Sequence, residues 1–150
     1  MNAQLQQRRE LTGLEQLREY LAGNRRPGIG VSLDFKLVDV QEGRVTFEGV
    51  PGEHAYNPIG SIHGGYAATL LDSACGCAVH STLSATQTYT TLELKVSYLK
   101  AMTKDTGPVR AVGRIVSIGR RVGFAEATLT DVNGKVYATA TSTLLVIEQK

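Results

Sequence analysis

In "NPIGSIHGG", Asn57 to Gly65, a loop dense in turn residues runs into an apolar stretch whose single acid is Asp72. No Lys or Arg lies between Glu53 and Lys95 to pair with it. A carboxylate on such a stretch is costly unless it is paired, hydrogen-bonded or used. On one reading Asp72 bonds a backbone N–H or a Ser/Thr hydroxyl, or emerges at a polar helix edge with Thr69 and Ser73. On the other it works as a base or nucleophile, a task for which poor solvation suits a carboxylate. His63-Gly64-Gly65 adds a second feature. Two glycines where a loop enters a helix leave backbone N–H groups bare for close approach, and the helix dipole adds partial positive charge. An oxyanion can be held there without a charged side chain. Alternatively, Gly-Gly only permits the turn and tight packing.

Other chemistries fit less well. His54, His63, His80, Cys75 and Cys77 do not fall into zinc spacing. Cys75 and Cys77 sit two apart in the helical stretch, where side chains point away from each other. They read as small buried thiols of a reducing compartment, not as a disulfide or a nucleophile. "GRIVSIGRRVG" lacks the strand-to-helix turn of a dinucleotide fingerprint. Arg120 and Arg121 read as a solvated turn, or as a pair of guanidiniums suited to a diphosphate.

The elements that must position these residues follow from the pattern. At 150 residues, 42% hydrophobic and 20% charged, the chain is one ordinary globular domain. Sixteen basic against 14 acidic residues, a net +2, give no field for nucleic acid. No window approaches a membrane span or a signal-peptide core, so the cytoplasm is expected, with no membrane partner. Thr12-Gly-Leu-Glu15 reads as a capping box opening a short helix with a Leu14, Leu17, Leu21 stripe, stopped by Gly23 and "NRRPG". Val31 to Val40 and "RVTFEGV" read as a hairpin. A long irregular connection then leads to a buried helix of about Gly64 to Leu83. "TQTYTTLELKVSYLKAM", "PVRAVGRIVSIG", "RVGFAEATLTD" and "KVYATATSTLLVIEQ" read as long antiparallel strands, with turns at "GRR" and Asn133-Gly134. The predicted class is α+β, a helix against one face of a sheet.

"N-P-x-G-x-x-H-G-G" with Asp72 seven residues after the second glycine, followed by "TLELKVSYLKA" and "GRRVGFAEATL", resembles the hotdog-fold acyl-CoA thioesterases of the PaaI-like, phenylacetate-degradation type. The resemblance covers about Gly28 to Ile147. It implies residues 1–27 as a tail and short helix before a hotdog domain of residues 28–150, in which a curved antiparallel sheet wraps a long central helix. It implies a homodimer with shared sites, often a homotetramer. Carried over by position, Asp72 is the catalytic carboxylate, as base or nucleophile, and the Gly64 N–H is the oxyanion donor. Asn57 and His63 orient the thioester or water, and Thr91 is the Ser/Thr near the carboxylate. Gly65 and Tyr66 lie in the substrate-binding stretch, while Arg120 and Arg121 meet the nucleotide end of coenzyme A. No cofactor is implied, coenzyme A being part of the substrate; an acyl carrier protein thioester is the other possible carrier. Tyr56, Ile59, Ile62, Tyr66 and Tyr89 suit a pocket for an aryl or alkyl group.

Gly64 and Asp72 are eight residues apart, about 12 Å along a helix at ~1.5 Å per residue. They cannot both reach one carbonyl from the same helix, whereas two antiparallel helices across a dimer would bring them together. Two other readings compete. A hotdog-fold dehydratase or hydratase would use a His and a carboxylate at different spacing. A non-catalytic acyl-CoA sensor would need an effector segment that the N-terminal helix is too short to supply.

Overall fold

The computed structural model describes residues 10–149. Helix α1 (Gly13–Ala22) starts at the expected capping box. Glu15 N–H donates to the Thr12 hydroxyl at 3.3 Å, and Thr12 N–H donates back to the Glu15 carboxylate at 2.8 Å. These satisfy two backbone donors that a helix start would leave bare. Gly23 closes the helix, and Leu17 is buried in the core.

The next segment departs from expectation. The strand predicted from Val31 begins only at Phe35, because Gly28–Ser32 forms a short helix, α2, entered from Pro27. Proline fixes a backbone angle suited to a helix start, and Asp34, with φ 54°, turns the chain out again. The alternation of Val31 and Leu33 is therefore not a strand pattern, and Val31 is 60% exposed.

Strand β1 (Phe35–Gln41) pairs with β2 (Arg44–Gly49) as the predicted hairpin, turning at Gly43 with φ 77°. The connection that follows is more ordered than predicted: Glu53–Ala55 makes a 3₁₀ turn, and Tyr56 bridges to Ile62. Helix α3 spans Gly64–His80, three residues short of Leu83, because Ser81 and Thr82 turn the chain. Strands β3 (Gln87–Tyr98), β4 (Val109–Ile118), β5 (Val122–Asp131) and β6 (Val136–Glu148) complete the fold. They form one antiparallel sheet in the order β1-β2-β4-β5-β6-β3, so β1 and β3 are its edges. Register shifts in β1, β3 and β4 mark bulges, which bend strands and curve a sheet.

One face of that sheet wraps α3, which touches β2 through β6. Leu70, Leu71, Ala74 and Val79 of the helix meet Val45, Ala111, Leu129 and Leu144 of the strands in one core. This is the α+β hotdog architecture. The helix crosses closest to β4 at Gly113, where a Cβ would come within 2.2 Å of the Ala74 carbonyl oxygen.

The N-terminal helix docks where α3 ends. Gly13 N–H donates to Leu83 O at 3.0 Å, and His80 Nε2 lies 3.3 Å from Gln16 Oε1. His80 Nδ1 is buried without a hydrogen bond, and burial lowers the ring's pKa. Glu19 and Arg25 share its hollow, and the Tyr89 ring lies 5.8 Å away. Because the unfolded chain binds this proton more tightly, stability is full above the ordinary His value of about 6.5 and falls as pH drops below it. Thermal unfolding of the protein should therefore show Tm declining from pH 7.5 to 5.5, and His80→Asn should flatten that slope. An identical slope in the variant would assign the pH dependence elsewhere.

Candidate active site

His63 caps α3, its Nδ1 accepting the Gly65 N–H at 2.8 Å. An accepting Nδ1 places the proton of the neutral ring on Nε2. The His63 carbonyl accepts the Tyr66 N–H at 2.9 Å. Of the first three N–H groups of the helix, Gly65 and Tyr66 are thus committed and Gly64 has no partner among the described residues. Such a bare N–H at a helix N-terminus is the kind of donor an oxyanion needs.

Tyr98, at the far end of β3, lies over the same glycine. Its hydroxyl donates to Gly64 O at 2.9 Å, and a Cβ on Gly64 would come within 3.0 Å of its ring. The missing side chain makes room for this ring, so Gly64 is fixed by packing as well as by the turn. Sequence reasoning did not single out Tyr98; the signal was a glycine at a helix start, which asks what fills the space.

Asp72 sits two turns further along, on the half-buried edge that α3 shows beside Thr69 and Ser73. The Thr91 hydroxyl donates to Asp72 Oδ1 at 3.0 Å. This is the pairing expected from position, and it leaves Oδ2 without a hydrogen bond among the described residues. The structural reading of Asp72 is thereby met, since the acid has a hydroxyl partner and emerges at a polar edge; its second oxygen stays open.

Asn57 organises the loop that delivers His63. Its Oδ1 accepts the N–H groups of Ile59 and Ser61, both at 3.1 Å, and its Nδ2 donates to Ser61 Oγ at 3.0 Å. The His63 N–H then donates to Ala55 O at 2.7 Å. Beside this end of the helix lies an open hollow of about 360 Å³, lined by His54, Tyr56, His63, Gly65, Tyr66 and Thr69. Tyr66 is mainly a core residue, 2% exposed, and burial raises its pKa. Ile59 stands out at the loop tip and Ile62 is buried, so the apolar residues named from the sequence do not line one pocket.

Arg120 and Arg121 are exposed in the β4–β5 turn, which is tied to β6 by Val146 N–H donating to Arg121 O at 2.9 Å. Thr91, Leu144 and Gly123 are side by side on β3, β6 and β5. Gly123 therefore stands two strands, about 10 Å, across the sheet from Thr91, and Arg121 comes two residues before it in the turn. Burial pushes the Cys75 and Cys77 thiols up to about 12, which keeps both protonated and unreactive at neutral pH. Among the described residues no group of three or more His, Cys, Asp or Glu is placed to hold a metal ion, and no helix is long and apolar enough to cross a membrane.

The family model of the thioesterase superfamily matches residues 59–138, more than half of the chain. The chain belongs to the thioesterase superfamily. Within that superfamily it is similar to the 1,4-dihydroxy-2-naphthoyl-CoA hydrolase of Listeria monocytogenes, 22% identical over 123 residues, 82% of this chain and 98% of the relative. A solved Streptococcus mutans protein bound to acetyl CoA is 29% identical, with a TM-score of 0.69 over 77% of this chain and 90% of its own. The PaaI protein of E. coli, from the phenylacetic acid degradation operon, shares the fold: its TM-score is 0.79 at 16% identity, covering 92% of this chain and 96% of its own. The thioesterase resemblance read from the Asn57–Asp72 motif is thus borne out, and the protein is a thioester hydrolase. The matched span takes in His63, Gly64, Asp72, Thr91 and the arginine turn, whereas Asn57 lies just before it.

Proposed function

We propose that this thioesterase hydrolyses a small-molecule acyl- or aryl-CoA to the free acid and coenzyme A, or the equivalent thioester on an acyl carrier protein. The observation that carries the reading is one helix bearing both an unpartnered N–H at Gly64 and, at Asp72, a carboxylate oxygen left open by Thr91. In this reading the open oxygen takes a proton from water as the water attacks the carbonyl carbon, or attacks that carbon itself. The charge that collects on the carbonyl oxygen is met by the Gly64 N–H. The carbon–sulfur bond then breaks and the thiolate leaves; on the nucleophilic route water then hydrolyses the mixed anhydride left on Asp72, which frees the acid and restores the carboxylate. The exposed guanidiniums of Arg120 and Arg121 suit the phosphates of coenzyme A, and the Streptococcus mutans relative bound to acetyl CoA supports that carrier. Thiol release from a panel of aryl-, short- and medium-chain acyl-CoA esters tests the reading. Tight binding with no release from any ester would instead make the protein an acyl-CoA sensor.

The two groups are about 12 Å apart on one continuous helix, so the reading requires a homodimer with shared sites. The free edge of β3, twelve residues long with Leu92 58% exposed, supports pairing through that strand. A homotetramer of two such dimers is the form the resemblance implies. Two inactive variants, Asn57→Ala and Asp72→Asn, refolded together test the sharing. With Asn57 and Gly64 from one chain and Asp72 from its partner, a mixed dimer holds one intact site. About half the dimers are mixed at equal amounts, so roughly a quarter of wild-type activity should return. Activity that stays at the floor of the parents after verified exchange would show that each site is built within one chain.

A further inference from the structure

Past Asp72, α3 and β3 stay in step for another turn. Asp72 and Gly76 are four residues apart and share a helix face, a rise of about 6 Å; Thr91 and Tyr89 are two apart and share a strand face, a rise of about 6.6 Å. The Thr91 hydroxyl meets Asp72 at the first level. At the second, the Tyr89 ring lies directly on the helix backbone. A Cβ on Gly76 would come within 2.5 Å of the Tyr89 hydroxyl oxygen and 2.8 and 2.9 Å of two ring carbons. Gly76 is thus a bare patch of helix that Tyr89 occupies. The ring has His80 as a further neighbour, its centroid 5.8 Å away, and Cys77 follows Gly76 on the same helix. The helix–strand seam that begins at the Asp72 carboxylate is stopped one turn later by an anchored aromatic side chain.

A thioester presented to Asp72 has two unlike halves. Its carrier is charged and must stay in water, while its acyl half loses least by lying along the seam between helix and strand. We propose that Tyr89, standing on Gly76 one helical turn beyond Asp72, is the specificity-determining residue that limits the length of the acyl group. This rests on the reading of Asp72 as the group that acts on the thioester carbonyl. About 6 Å of seam separates the two levels, so the site takes a short acyl group and rejects one that must run past the ring. Gly76 belongs to the same device, because only a residue without a side chain lets the ring lie that close.

The test is kcat/KM for thiol release across straight-chain acyl-CoA esters from acetyl to dodecanoyl, with wild type, Tyr89→Phe and Tyr89→Val. Valine keeps β-propensity on an edge strand while removing the ring; if it proves unstable, Tyr89→Leu carries the same expectation. Wild type should fall off as the chain lengthens. Tyr89→Phe, which keeps the ring, should follow the wild-type profile. In Tyr89→Val the ratio of long- to short-chain kcat/KM should rise about tenfold or more, the scale on which a few methylenes discriminate in an apolar pocket. A general loss of stability would lower all esters together and leave that ratio unmoved, so an unchanged ratio in folded Tyr89→Val or Tyr89→Leu overturns the proposal. A wild type that already prefers the long esters overturns it as well. Absence of thiol release by wild type from every ester would be a different failure, that of the thioesterase reading on which the proposal rests.

Discussion

Thiol release by Asp72→Asn should fall about a hundredfold or more in kcat, with KM close to that of wild type. The amide is nearly isosteric, and its oxygen can still accept the Thr91 hydroxyl that meets Oδ1 at 3.0 Å. The change falls on the other position. Where the acid leaves an oxygen open, the amide presents an N–H₂ that can neither take a proton from water nor attack carbon. Far-UV circular dichroism and binding of a non-hydrolysable acyl-CoA analogue should both match wild type, locating the loss in the chemical step. Hydrolysis by Asp72→Asn at near the wild-type rate would remove the carboxylate from the mechanism.

The largest loss of stability is expected at Gly113, where β4 crosses α3. A methyl group there would lie 2.2 Å from the Ala74 carbonyl oxygen, 2.3 Å from its carbon and 2.8 Å from Cys75 N. These are backbone atoms in the middle of α3, so no side-chain rotation relieves the clash, and the helix must lift from β4. Overpacking that a core can absorb costs about 1–3 kcal/mol. This one, set against rigid backbone, should reach about 4 kcal/mol or more, in the exceptional tail of single substitutions. Urea denaturation of Gly113→Ala gives the number. A loss below about 1 kcal/mol would mean that the helix–sheet spacing is not fixed by this contact.

How far the sequence could be read depended on the range of the interaction involved. Capping boxes, alternating strands and the apolar run of α3 are local signals, so the hotdog elements and their class were legible. Val31 misled because its alternation with Leu33 was read without the weight of Pro27, which starts a helix there. The Asp72–Thr91 pair was legible only through family resemblance, since nothing in a single sequence states which residue of an edge strand faces which turn of a helix. The same blindness hid Tyr98 on Gly64 and Tyr89 on Gly76. Each glycine announces a space, but its occupant comes from another element. His63 was expected to orient the thioester or water; its Nδ1 caps the helix it precedes, a role the His-Gly-Gly motif carries in its own spacing.

The two edges of the sheet differ in a way that bears on growth by strand addition. Strand β1 is seven residues long and has α1 and α2 packed against it. Such an edge is a poor template for another strand. Strand β3 at the opposite edge is twelve residues long. Joining two copies through β3 would leave only β1 edges at both ends of the enlarged sheet. Growth by strand addition would then stop at two copies, and a long unpaired strand would not become the first layer of a fibre.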